Sequence, residues 1–77
     1  MSLAITAQVT DTTVLNARKL VEEKMEVDTS GVALIMVTDV KLEGVKAFWK
    51  VNGEEIIITY AEGETGVGTL TFEAVLV

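Results

Sequence analysis

Apolar residues recur at every second position through most of this chain and at helical spacing only once, so the fold must be mainly sheet with a single helix laid on it. Leu3, Ile5, Ala7 and Val9 fall on one side of an extended segment and Ala4, Thr6 and Gln8 on the other, which predicts a half-buried strand over 3–9. Thr10, Asp11, Thr12 and Thr13 follow, and their side-chain oxygens suit the free amides of a helix start. A helix is therefore expected from near Asp11 to about residue 26. Val14, Ala17, Val21 and Met25 would line its apolar side, flanked by Leu15 and Leu20. Its charges are poorly ordered for an isolated helix, because Glu22, Glu23 and Glu26 gather where the dipole favours cations, so packing must hold it.

The polar cluster Asp28 to Gly31 breaks the helical pattern and turns the chain into a long extended run. Its even positions read Val32, Leu34, Met36, Thr38, Val40 and Leu42, and its odd positions Ala33, Ile35 and Val37 before Asp39, Lys41 and Glu43. The first half is thus apolar on both faces. Glu43 and Gly44 suit a turn into a strand over 45–51, which Asn52 and Gly53 close as a hairpin. With those two residues as the loop, Lys50 opposes Glu55, Trp49 opposes Ile56 and Phe48 opposes Ile57. Val45, Ala47, Trp49, Ile56, Ile58 and Tyr60 then share a core face, and Lys46, Phe48, Lys50, Glu55, Ile57 and Thr59 the opposite one. After a glycine-rich connection from Glu62 to Gly68, a last strand alternates Leu70, Phe72, Ala74 and Leu76 with Thr69, Thr71 and Glu73. The expected fold is a single α+β domain over 1–77, order β-α-β-β-β-β, with one amphipathic helix on a four- to five-stranded, mainly antiparallel sheet.

Several function classes are disfavoured by what the 77 residues lack. There is no His, Cys or Pro, which removes disulfides, thiol chemistry and the commonest zinc ligands, and leaves only Asp, Glu, Lys and Tyr for proton transfer. The adjacent carboxylates Glu22–Glu23 and Glu54–Glu55 point to different sides of their elements and cannot flank one substrate atom. Gly63 to Gly68 superficially matches a phosphate loop, but it lacks the Gly-Lys-Ser/Thr ending, carries a glutamate and precedes a strand. No enzyme, no cofactor and no metal site is expected. Net charge is −6, which disfavours nucleic acid and anionic membranes as partners. Neither a signal peptide nor a run of about 18 apolar residues is found, so a soluble chain without a membrane segment is expected, in a compartment that stays open.

The element order resembles that of cystatins and monellin, in which a curved antiparallel sheet grips a helix that follows the first strand. That resemblance implies a protease inhibitor acting through hairpin loops. The loop where cystatins carry Gln-x-Val-x-Gly reads Lys41, Leu42, Glu43, Gly44 and Val45 here.

The surplus of apolar positions is the stronger functional sign. One helix covers one face of a sheet, and Ala33, Ile35, Val37, Phe48 and Ile57 would all point away from it. Five such residues on one face predict an interface, either in a homo-oligomer or larger assembly or against another protein. The expected role is a non-catalytic structural or interaction module. Lys46, Phe48 and Lys50 share that face as well, a pattern that also suits stacking of single-stranded nucleic acid.

Overall fold

The computed structural model describes residues 2–77; Met1 lies outside the described residues. Six strands and one helix follow in the order β1 (Ser2–Val9), β2 (Thr13–Asn16), α1 (Ala17–Met25), β3 (Ile35–Glu43), β4 (Ala47–Asn52), β5 (Glu55–Tyr60) and β6 (Gly68–Leu76). They form an α+β fold in which the expected single layer is divided into two antiparallel three-stranded sheets, β1-β6-β3 and β2-β5-β4.

The division begins where a helix was expected. Thr12, Thr13 and Val14 are β-branched and fit a pleated edge better than a first helical turn. Residues 13–16 accordingly pair with β5, with Val14 opposite Ile57 and Leu15 opposite Ile56. The helix starts four residues later than the end of that polar cluster, and Asn16 caps it by accepting from the Lys19 amide at 3.0 Å. Asp11 instead bonds the amide of Thr12 next to it. Only Ala17 and Val21 of α1 are fully buried, so the helix contributes a narrow stripe to the core.

β6 lies at the centre of the first sheet and presents Leu70, Phe72 and Ala74 inward. Their partners on β1 are Ala7, Ile5 and Leu3, so that a small residue meets a large one on either side of the central Phe72–Ile5 pair. At the end of this ladder Val9 meets Gly68, where an added Cβ would stand 2.6 Å from Val45 and 3.2 Å from Val9. Glycine is required there by close approach.

The long extended run corrects the expected face assignment. Ile35 and Val37 point inward, against Leu76 and Ala74, and Ile35 is 1% exposed. Between Thr38 and Lys41 the register shifts by one residue, with Asp39 at φ 50°. Past this bulge the inward positions become Val40 and Leu42, both packed against the core. The two apolar faces read from sequence are therefore one face, interrupted by an extra residue. Met36 is left on the outer side.

The β4–β5 hairpin also departs from expectation. Asn52 pairs with Glu55 and Val51 with Ile56, so the two loop residues are Gly53 and Glu54. Gly53 takes φ 63° while Glu54 does not enter positive φ, the glycine-first form of a tight hairpin turn. Lys50 consequently opposes Ile57 instead of Glu55, and Phe48 opposes Thr59. A shift of two residues preserves the faces, so Ile56 and Ile58 are buried as expected, whereas Trp49 on the same side is 45% exposed at the sheet's edge.

Polar tethers tie the two sheets together. Arg18 donates through Nε and Nη2 to the two oxygens of Glu54, at 3.0 and 2.8 Å, and through Nη1 to the carbonyls of Thr29 and Val32. Glu54 also accepts from the Ile35 amide, and its carbonyl accepts from the Ala17 amide. The hairpin turn is thus bonded to the helix start and to the beginning of β3, which explains why Glu54 occupies the loop. Tyr60 closes the other end, its hydroxyl lying 3.0 Å from the Val9 carbonyl and 2.9 Å from that of Gly66.

Candidate interaction surface

The five residues expected to share one interface are dispersed. Ile35 lies in the chain's own core and Val37 packs against it, so neither is available to a partner. Ala33 is exposed in the loop before β3. Phe48 and Ile57 remain together on the outer face of the second sheet, on neighbouring strands and offset by two residues.

Around that pair the outer face is built by pleat and register. Val14 on β2, Ile57 on β5 and Lys50 on β4 form one row across the sheet, and Thr59 and Phe48 form part of the next. Val14 is an exposed member that the sequence reading missed, since it was assigned to a helix. Its signal was present in the β-branched run Thr12 to Val14. Phe48 is 70% exposed, the most open large apolar side chain among the described residues.

Two cations border the aromatic ring's strand. Lys46 and Lys50 are exposed, and among the described residues neither forms an ion pair. The expected Lys50–Glu55 pairing is absent because of the hairpin register. The Lys46 amide is held by the Glu64 carboxylate, which fixes the entry to β4. This local surface is apolar with a positive border on a chain whose net charge is −6.

The shifted ionisations belong to the tethers and not to this face. The bidentate bond from Arg18, with the Ile35 amide second, holds the Glu54 carboxyl below the usual carboxylate range, and the same contact raises Arg18. Asp28 is lowered by its bonds from Ser30 in the loop after the helix. Among the described residues no three acidic side chains converge to hold a metal ion, and no helix is long and apolar enough to cross a membrane. Comparison with protein-family models, with curated proteins and with solved structures finds no match to this chain.

Proposed function

We propose that this protein is a non-catalytic interaction module that docks on a protein partner through the outer face of β2-β5-β4. The observation that carries this reading is the 70% exposure of Phe48 beside Ile57 and Val14. Burying a side chain of this size contributes about 2 kcal/mol, equivalent to roughly 30-fold in affinity. Lys46 and Lys50 would favour a partner with acidic residues around an apolar centre, through steering more than through net affinity.

A photoreactive aromatic residue in place of Phe48, compared with the same group at exposed Glu62, tests the reading in cells that make the protein. The expected result is a specific protein crosslinked at position 48 alone, whose purified form binds Phe48→Asp at least about tenfold more weakly. Equal yields at both positions would remove the reading.

The same strip supports a second reading, because Lys46, Phe48 and Lys50 combine cations with an exposed ring as single-strand binders do. Titration with a labelled oligonucleotide separates the two. A nucleic-acid site predicts affinity that weakens with salt and is lost in Phe48→Asp. No observation favours a cystatin-like inhibitor, since the strands divide between two sheets instead of wrapping one sheet around the helix.

A further inference from the structure

Each sheet leaves two strand edges open, and three of the four edge strands carry features that hinder pairing with another chain. β2 is four residues long, β3 is bent by its bulge and carries Asp39, Lys41 and Glu43, and β4 carries Lys50 in six residues. β1 has none of these. Its eight residues, Ser2 to Val9, include no charge, no proline and no glycine, and their register against β6 is unbroken. Beside it lies a groove of about 350 Å³, lined by Thr6, Ala7 and Gln8 on the strand and by Leu15 and Leu20 on the opposite wall, with Glu23 and Lys24 also lining it.

We propose that a second copy of this chain occupies that edge, its β1 running antiparallel to the first across a two-fold axis at Ile5. Directly opposed residues of antiparallel strands share a face, so this axis sets Leu3 against Ala7, Ala4 against Thr6 and Ser2 against Gln8 of the other copy. The strand is self-complementary in size about Ile5. Leu3, only partly buried in its own chain, enters the space over Ala7, where Leu15 and Leu20 form the wall. The outer face brings together only small or uncharged side chains, so no like charges meet despite the net −6 on each copy. Every contact off the axis is made twice, as an isologous interface requires. The two β1-β6-β3 sheets become one sheet of six strands, and the Phe48 surface on the other sheet stays free in each copy.

Sedimentation across a dilution series reads the proposal directly. Wild type is expected to reach twice the mass of one chain at high concentration, with β1 amides gaining hydrogen-exchange protection as the dimer forms. Ala4 and Thr6 are exposed, so charges there leave the fold intact, which circular dichroism verifies. The double variant Ala4→Lys/Thr6→Lys opposes like charges across the axis and should weaken the dimer about a hundredfold or more. Ala4→Lys/Thr6→Glu opposes unlike charges in the same register and should restore it, with affinity that falls as salt rises. A wild type that stays monomeric throughout overturns the proposal, as does a dimer unmoved by the like-charged variant. A dimer broken by Phe48→Asp but not by that variant overturns it too, and assigns self-association to the outer face of the second sheet. Equal weakening by both double variants rules out the axis at Ile5.

Discussion

The sheet β1-β6-β3 and the sheet β2-β5-β4 contain the same number of strands, yet they bury their residues very differently. The first is built on nine-residue β6, flanked by strands of eight and nine residues, and places Ile5, Leu70, Phe72, Ala74 and Ile35 under the chain's own atoms. The second is built on six-residue β5 between strands of four and six, and buries Ile56 and Ile58 while leaving Phe48, Trp49 and Val14 open. The outer faces account for much of this, because the first sheet's outer positions include Ala4, Thr6, Gln8, Thr69, Thr71 and Glu73, whereas the second's include Val14, Phe48 and Ile57. The first sheet therefore supplies most of the buried core, and the second leaves apolar side chains exposed.

The comparison breaks most severely at Phe72. Phe72→Ala would remove the largest fully buried side chain and leave a cavity between Ile5 and the bulged part of β3, at a cost of about 3–5 kcal/mol. That is a large share of the stability of any domain of this size. Urea denaturation should show a chain that is mostly unfolded or close to it. The same truncation on the second sheet, Phe48→Ala, should leave the midpoint nearly unchanged; equal losses would contradict the division of labour.

Arg18 tests whether the tether between the sheets matters as much as either core. Its bonds to Glu54 keep that carboxylate ionised below its ordinary range, so the folded state binds its proton less readily than the unfolded chain does. Stability from this pair is fully present above the ordinary carboxylate value and is lost as pH falls through the lowered one. Arg18→Met should lower the melting temperature at neutral pH, by less than Phe72→Ala, and should flatten the loss on acidification. The part contributed by Asp28 would remain. An acid profile parallel to wild type would show that the tether is not the source.

Both sheets were partly legible in the sequence, and the errors have specific causes. The alternation in 3–9 and 69–76 predicts both strands with the correct inward residues, because each has one apolar face, whereas their pairing with each other was not legible. The helix end near residue 26 is likewise correct, with Glu26 in the left-handed region. The helix start is misplaced, since Thr10 to Thr13 offer capping oxygens while the β-branched Thr13 and Val14 pair along the edge of β5. Ile35 and Val37 were misassigned because a bulge inverts the meaning of odd and even positions halfway along a strand. Its signal is the switch from Val37 to Asp39 on the odd side, which resembles the end of an apolar face. The hairpin loop moves by one residue, and the pairing register by two, because long-range bonds to Glu54 outweigh the local preference of Asn52-Gly53. Phe48 and Ile57 were identified despite that error, because a shift of two keeps both on the same face.

The bulge gives the next test. Asp39 occupies φ 50°, which glycine adopts without strain, so Asp39→Gly should be neutral or stabilise by up to about 1 kcal/mol. Asp39→Val should destabilise by about 1–2 kcal/mol, since a β-branched residue resists this conformation. Opposite signs in thermal unfolding would establish that the inversion of faces depends on this residue's backbone. Like signs would mean that the Asp39 side chain, not its φ angle, holds the bulge.

The smallest expected effect on stability is also the sharpest contrast between the sheets. Phe48→Asp adds a carboxylate on the outer face of β4, where the ring is mostly in water and Lys46 and Lys50 lie on the same side. The change should stay within about 0.5 kcal/mol, the range of surface substitutions remote from a packed core. Val37→Asp, at the position opposite Ala74 on β3, should be severely destabilising because it carries a charge toward the core. Both residues read as outward-facing apolar positions in the sequence. Thermal denaturation of the two variants side by side thus measures how much of the apolar surplus the chain uses for itself. If Phe48→Asp proved as damaging as Val37→Asp, the ring would be part of the fold's own packing, and the second sheet would have no surplus left for a partner.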